Sequence, residues 1–206
     1  NYNTVSGWGG LSSNTTGSSN SAFGYQALTA NTTAPNNTAV GYQALKANTT
    51  GDTNVAIGKD SMLANTTGTN NTALGPRSLQ SNTTAANNVA VGDLALGSNT
   101  TGGTNTAVGT NALKSNTTAA ESVAVGYQAL YSQTTASGGN NTALGYQAGY
   151  SVSTGYWNVF AGEQAGYSTT GYRNTFLGHE SGKDVTSGNK NTILGGYTGN
   201  QGGLDI

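Results

Sequence analysis

The chain has 206 residues, of which 32 are glycine and 7% are charged, and it contains no cysteine. Seven basic and eight acidic side chains give a formal charge of −1 with no run of either sign, so nucleic-acid binding has no electrostatic basis. Disulfides are excluded, and no apolar stretch is long enough to cross a bilayer, so membrane insertion is not expected.

A recurring glycine divides the chain into short units. Eight of these glycines are seventeen residues apart without exception, and four more continue the series with small slips. A period this short is too small for a helix-pair repeat but fits one coil of a β-solenoid. We therefore predict an all-β fold, a parallel β-solenoid (β-roll) of about twelve 17-residue coils in a single domain over 1–206. The glycines are Gly7, Gly24, Gly41, Gly58, Gly75, Gly92, Gly109, Gly126, Gly145, Gly162, Gly178 and Gly195.

Each coil contains two apolar pairs. We number positions from the recurring glycine, so that in one coil Gly41 is position 1 and Ile57 is position 17; where a coil is longer or shorter than seventeen residues, positions 12 to 17 are counted back from the next glycine. Positions 15 to 17 read Thr or Val, then Ala, then Val, Ile or Leu, which predicts a short strand that ends at the next glycine. Positions 4 and 5 read Ala-Leu, and we predict a second strand there. Val91 and Leu113 are expected to face the lumen.

The two apolar pairs also bear on assembly. Successive side chains of a strand point to opposite faces, yet both predicted strands carry successive apolar positions. Only one face of a solenoid wall can look into its own lumen, so the second apolar face needs another cover. A homotrimer around an axis is the cover we expect. The alternative is that Ala is small enough to remain exposed.

Asparagine forms two further columns. Position 14 is Asn in eleven coils, with Ser122 as the exception, and position 8 is Asn in seven coils. Stacked coils bring such amides about 4.8 Å apart, close enough for one amide to donate to the next. We interpret both columns as turn and ladder residues rather than binding residues.

The repeat changes toward its C-terminal end. The glycine spacing grows to nineteen after Gly126 and shrinks to sixteen after Gly162. We therefore divide the solenoid into regular coils over 1–136 and variant coils over 137–206. Ser137, Gly138 and Gly139 are expected to hold the two extra residues. In the variant coils position 5 becomes glycine and aromatic residues collect: Gly149, Gly166, Gly182, Tyr150, Tyr156, Trp157, Tyr167 and Tyr172.

Three of these aromatic residues, Tyr156, Trp157 and Tyr172, are the candidate ligand contacts, because aromatic rings on an extended surface can stack on sugar rings. The alternative is that they pack over the glycine positions or widen a subunit interface.

The only histidine lies in a charged cluster of His179, Glu180, Lys183 and Asp184. One histidine with loosely spaced carboxylates favours a solvated charged turn over a metal site. No cofactor or metal is expected.

Catalysis is not expected. Some solenoids cleave polysaccharides with clustered carboxylates. In this chain Asp52, Asp60, Asp93, Glu121 and Glu163 belong to different coils and mostly to different positions. The sequence also contains no Ser-His-Asp set or phosphate loop.

The unit from Asn37 to Leu45, Asn-Thr-Ala-Val-Gly-Tyr-Gln-Ala-Leu, resembles the head repeats of trimeric autotransporter adhesins. Similar repeats occur in bacteriophage tail fibres and other bacterial surface fibres. The resemblance implies a left-handed parallel β-roll that assembles as a trimer, an extracellular location on a cell surface or virion tail fibre, and attachment to a host receptor or glycan. The seventeen-residue period is longer than that of typical adhesin heads, which favours a phage-type or other environmental fibre. End-to-end stacking into a filament is left open.

Paired threonines offer an alternative function, because they would stack into hydroxyl rows and make the chain an ice-binding β-solenoid. Against this, the pairs fall in a glycine-rich turn, and adjacent threonines would face opposite ways. The pairs are Thr32-Thr33, Thr49-Thr50, Thr66-Thr67, Thr83-Thr84, Thr100-Thr101 and Thr117-Thr118.

Overall fold

The computed structural model describes residues 2–134 and 139–199, and these form a single sheet of twelve strands. Each strand has three residues and pairs in parallel only with its neighbours in sequence, in the order β1 to β12. The strands are β1 Thr4–Ser6, β2 Ser21–Phe23, β3 Thr38–Val40, β4 Val55–Ile57, β5 Thr72–Leu74, β6 Val89–Val91, β7 Thr106–Val108, β8 Val123–Val125, β9 Thr142–Leu144, β10 Val159–Ala161, β11 Thr175–Leu177 and β12 Thr192–Leu194.

The register confirms the solenoid. Thr38 pairs with Val55 and Ala39 with Ala56, so each residue meets the residue one repeat later. Parallel neighbours with a short connection require the chain to wind around an axis, which is the parallel β-solenoid predicted from the period. Twelve strands are joined by eleven turns, one fewer than the predicted number of coils.

The predicted second strand is wrong. Positions 1 to 8 form consecutive tight turns, with hydrogen bonds from Ala44 N to Gly41 O at 3.4 Å, from Lys46 N to Gln43 O at 3.2 Å and from Asn48 N to Leu45 O at 3.2 Å. Gln43 and Leu45 have φ values of 56° and 51°. In this geometry Ala44 and Leu45 are both fully buried, whereas a strand would turn one of them outward.

The left-handed leucines are unusual, because a non-glycine residue in this region costs about 1–2 kcal/mol. Burying a leucine side chain contributes about 1.5–3 kcal/mol, which offsets that cost. Leu28, Leu45, Leu96, Leu113 and Leu130 all combine a positive φ with complete burial. Packing therefore decides the backbone conformation at position 5.

The core is a continuous column of small and branched apolar residues. Position 16 supplies a buried alanine in most strands, and positions 4 and 5 supply Ala or Ser and a leucine. Leu113 lies in this core, as predicted. The prediction for Val91 is wrong, because Ala90 points inward and Val91, the next residue of the same strand, points outward and is half-buried.

Position 1 requires glycine for two reasons. Gly41 has φ 137°, a conformation that residues with a Cβ rarely adopt. A Cβ at Gly41 would also lie 2.5 Å from the carbonyl oxygen of Gly58 in the next coil. The close stacking of coils at this corner therefore explains the period seen in the sequence.

The asparagine columns form the predicted ladders. In the position 8 column, Asn65 Nδ2 donates to Asn48 Oδ1 at 2.8 Å and to Gly68 O at 3.0 Å. In the position 14 column, Asn54 Oδ1 accepts the backbone N–H of Asn71 at 3.0 Å, and Asn54 Nδ2 donates to Gly68 O at 2.8 Å. Both columns therefore converge on one buried carbonyl per coil and satisfy polar groups that would be costly to bury alone.

Two departures from the ladders compensate for each other. Ser122 replaces Asn at position 14 of one coil, and Gln133 replaces Asn at position 8 of the next coil. Gln133 Nε2 reaches Ser122 Oγ at 3.0 Å, and Gln133 Oε1 accepts from Asn141 Nδ2 at 2.9 Å. Because Gln133 turns toward Ser122, Asn116 Oδ1 in the preceding coil is buried without a hydrogen bond in the part of the chain that the structure describes.

The variant coils exchange the core residues. Phe160 and Phe176 replace alanine at position 16 and are fully buried. A Cβ at Gly149 would lie 2.7 Å from the Phe160 ring, and one at Gly166 would overlap it even more closely. The phenyl ring therefore fills the space that leucine occupies in the regular coils. Ser137, Gly138 and the 136/137 division lie outside the described residues.

Candidate ligand-binding surface

The structure brings the three candidate ligand contacts together. Tyr156 and Tyr172 both occupy position 12, so they stack one coil apart with ring centroids at 5.0 Å and planes within 3°. Trp157 follows Tyr156 at position 13 and meets its ring edge-to-face at 5.0 Å and 80°. The three rings therefore lie together in the turn just before the strand.

Arg173 completes this group of side chains, and the sequence interpretation missed it. Its guanidinium lies 4.5 Å from the Trp157 ring centroid, within cation–π distance. Arg173 occupies position 13 one coil after Trp157, and Lys190 follows at position 13 one coil later. A comparison of the residues at position 13 in successive coils would have identified Arg173 and Lys190 from the sequence. We call Tyr156, Trp157, Tyr172 and Arg173 the aromatic corner.

The alternative that these aromatic residues pack over the glycine positions is wrong. Gly149 and Gly166 face the Phe160 ring, and Gly182 faces the Phe176 ring. The aromatic corner stands on the outside of the roll, where Trp157 is 50% exposed and Tyr156 and Tyr172 are half-buried. The Trp157 ring is therefore available for contacts from solvent.

Other aromatic residues stack in rows along the roll. At position 6, the centroids of Tyr131 and Tyr150 are 5.1 Å apart and those of Tyr150 and Tyr167 are 5.0 Å apart. At position 2, Tyr25 lies between Trp8 and Tyr42 at 5.2 and 5.3 Å. Burial, with a smaller contribution from the neighbouring tyrosines, raises the pKa of Tyr150, so its phenol stays protonated near neutral pH. Parallel rings cover each other's faces, which leaves mainly their edges open.

The charged cluster around His179 contains one exposed pair and one partly buried pair. His179 Nε2 lies 3.8 Å from Glu163 Oε2, and Lys183 Nζ donates to Glu180 Oε1 at 2.5 Å. That hydrogen bond lowers the pKa of Glu180 and raises the pKa of Lys183. No three His, Asp or Glu side chains within 2–134 and 139–199 are placed to hold a metal ion.

The two threonines of each pair have different environments. At position 9, Thr49 Oγ1 donates to Thr66 O in the next coil at 3.1 Å, and the same bond recurs along the column. At position 10, Thr50 is exposed. The position 9 hydroxyls are therefore engaged with the backbone, whereas the position 10 threonine Thr50 faces solvent.

The outer face of the strands is uncharged and largely apolar. Positions 15 and 17 of β1 to β12 carry only Ser, Thr or an apolar residue. Several large apolar side chains are exposed there, including Ile57 at 41% and Leu144 at 44%. A parallel sheet is normally covered on both faces, and the residues that the structure describes leave this outer face partly exposed.

None of the described residues forms a helix of the length and apolarity that spanning a membrane requires. No family model, curated protein or solved structure matches the chain. The class of protein that the fold defines is a tandem-repeat parallel β-solenoid.

Proposed function

We propose that the chain is a structural and attachment segment of a trimeric extracellular fibre, of the kind found in phage tail fibres and bacterial adhesins. The observation that carries the proposal is the uncharged, largely apolar outer face of the twelve strands. An exposed apolar surface of this extent is typical of an interaction site. The resemblance of Asn37 to Leu45 to adhesin head repeats supports the same assembly.

The geometry of the roll favours cyclic symmetry. All twelve strands are parallel and stack in sequence order, so an axis along the roll lets each coil meet the equivalent coil of a neighbouring copy. The apolar side chains at position 17 then pack around that axis at every level. Three copies around one axis cover the outer face of each, and the remaining surface stays free to contact a receptor.

The fibre is proposed to act by binding rather than by catalysis. Asp93 is paired with Arg77 at 2.7 Å, and Glu121 accepts a hydrogen bond from Asn140 at 2.6 Å. These carboxylates hold surface contacts in separate coils. The attachment surface is proposed to include the aromatic corner, with a cell-surface glycan or receptor as the partner.

Sedimentation of the wild-type chain tests the assembly, with a trimer as the expected mass. Val91→Asp places a charge on the outer face and is expected to give a folded monomer, because the folded chain alone leaves Val91 half-exposed. Thr50→Asp, at an exposed turn, is the matched control and should remain trimeric. A monomeric wild type, or a trimeric Val91→Asp variant, would contradict the proposal.

Ice binding is the second candidate, and one observation favours it. Position 10 presents an exposed threonine in successive coils, such as Thr50, Thr67 and Thr84. The position 9 row is less suited, because its hydroxyls are bonded to backbone carbonyls. Thermal hysteresis of the wild-type chain, lost in Thr67→Val but kept in Thr66→Val, is the result this alternative predicts. Absence of hysteresis would exclude it.

A further inference from the structure

We propose that the aromatic corner, together with Lys190, binds a glycan that carries acidic groups. This inference names the ligand class for the attachment surface and so rests on the proposed function. The exposed Trp157 ring supplies an aromatic surface for a sugar ring, and the two cations supply partners for a carboxylate or sulfate on the same sugar chain.

The backbone gives the first argument. Position 13 has a left-handed conformation in every described coil from Ser19 to Lys190, and Asn36, Asn70, Asn87 and Asn140 suit it well. Trp157 and Arg173 adopt φ values of 57° and 58° at this position, and the β-branched residues Thr53 and Thr104 adopt 56° and 60°. Position 13 is exposed in each of these coils, so the fold holds the Trp157 and Arg173 side chains outward on neighbouring coils.

Core packing does not hold these two side chains. At position 5 a left-handed leucine gains complete burial, but Trp157 remains 50% exposed and Arg173 is also exposed. Both side chains project from the corner instead of filling the core. A large aromatic ring held outward beside a cation is placed for an external contact.

The cations of this column have no carboxylate partner. Ion pairs among the described residues join Arg77 to Asp93, His179 to Glu163 and Lys183 to Glu180, so Arg173 and Lys190 are unpaired there. The Trp157 ring holds the Arg173 guanidinium at 4.5 Å without neutralising it. A positive group fixed beside open aromatic surface is complementary to an anion carried by a ring-shaped ligand.

Backbone hydrogen bonding favours a glycan over an acidic peptide. The N–H groups of Trp157 and Arg173 donate to Gly139 O at 3.4 Å and Tyr156 O at 2.9 Å, and the Tyr172 N–H donates to Asn189 Oδ1 at 2.8 Å. These groups cannot pair with an incoming strand, which is how extended peptides usually gain affinity. Recognition at the corner therefore depends on ring faces and cationic side chains.

Titration calorimetry on the intact assembly tests the proposal with four probes. These are an oligogalacturonide, a sulfated glycosaminoglycan oligosaccharide, a neutral cello-oligosaccharide of matched length, and a poly-glutamate peptide. We expect one or both acidic sugars to bind with an affinity that falls as salt rises, and the neutral sugar and the peptide to bind at least about tenfold more weakly. The stronger of the two acidic sugars identifies carboxylate or sulfate as the preferred group.

Two substitutions locate the site. Trp157→Asn and Arg173→Asn place a residue that suits the left-handed backbone, and each is expected to weaken acidic-sugar binding about tenfold while Tm stays unchanged or rises. Trp8→Asn and Arg77→Asn are the matched controls, since Trp8 is also exposed and Arg77 also has a positive φ of 55°. The controls should keep wild-type affinity.

Several results would overturn the inference: no binding of either acidic sugar to the wild type, equal or tighter binding of the neutral sugar or the peptide, or unchanged affinity in both variants. Dissociation of the assembly by Trp157→Asn would assign the corner to a subunit interface and would also overturn it. A wild-type trimer that binds no acidic sugar would leave the fibre proposal standing. A wild-type monomer that binds an acidic sugar would contradict the fibre proposal and leave the glycan site standing.

Discussion

The regular coils up to Leu130 and the variant coils from Gly149 build the same roll with opposite core residues. In the regular coils the strand supplies alanine and the turn supplies leucine, whereas in the variant coils the strand supplies Phe160 or Phe176 and the turn supplies glycine. The strands pair in register across the change, as Phe160 opposite Ala143 shows. The fold therefore constrains the filled volume of each coil more strongly than the identity of any one core residue.

The two asparagine columns also differ between the regions. The position 14 column continues to Asn191, while the position 8 column changes to Gln133, Val152, Thr169 and Val185. Position 14 accepts a backbone N–H of the next coil in both regions, for example Asn174 N to Asn158 Oδ1 at 2.9 Å. Position 8 amides donate to the neighbouring side chain and to a carbonyl of their own coil, as Asn65 does to Asn48 and Gly68, and their oxygens accept from the next amide of the column, so the column can be replaced together without removing the acceptor of a backbone N–H.

The exchange of core residues between the regular and the variant coils predicts the largest changes in the free energy of unfolding. Phe160→Ala should lower the free energy of unfolding by about 3–5 kcal/mol, because it leaves a cavity beside two glycines. Gly166→Leu alone should also destabilise the chain, because its side chain would overlap the Phe160 ring. The double variant should recover most of the loss. Urea denaturation measures all three, and a double variant no more stable than the single ones would refute the volume exchange.

The ladders predict intermediate effects of unequal size. Asn54→Ala leaves the buried N–H of Asn71 without its acceptor and should cost about 2–3 kcal/mol. Asn65→Ala removes a side-chain partner of Asn48 and Asn82 and should cost about 1–2 kcal/mol, because the Asn82 amide keeps its bond to Ala85 O at 3.1 Å. Urea midpoints of the two variants provide the comparison. Equal losses of stability in the two variants would contradict this prediction, because the two columns would then contribute equally.

The smallest predicted effect concerns the Ser122 and Gln133 pair. Gln133→Asn shortens the side chain that reaches Ser122 Oγ and should cost about 1 kcal/mol. Ser122→Asn places a second amide where the Gln133 amide lies, and it should also destabilise the chain. The double variant restores the regular residues at both positions, so a double-mutant cycle should show a favourable coupling of at least about 0.5 kcal/mol. Strict additivity would contradict this interpretation.

Much of this architecture could be predicted because it repeats. The glycine period predicted the solenoid, and the asparagine columns predicted amide ladders, since a stacked column must satisfy the same contact in every coil. The Ala-Leu pair was misassigned because a left-handed leucine such as Leu45 is a rare conformation that apolar periodicity cannot reveal. Val91 was placed in the lumen for a different reason, because apolar periodicity does not show which of two successive apolar residues, Ala90 or Val91, points inward.

The candidate site was predicted in part. Tyr156, Trp157 and Tyr172 were selected as aromatic residues outside the regular pattern, and stacking of consecutive coils brings them together. Arg173 was missed because it lies sixteen residues from Trp157 and stands out only when position 13 is compared between coils. The position of its guanidinium over the indole depends on side-chain geometry that composition does not encode.

The uniform register of the regular coils has a consequence for folding errors. Strands such as β3 and β4 offer nearly the same partners, so a chain that slipped by one full repeat would regain almost every ladder contact. The Phe160 and Gly166 coils cannot slip in this way, because a phenyl ring would then face a leucine. The regular coils alone could exchange places with one another. The variant coils therefore fix the register of the whole stack.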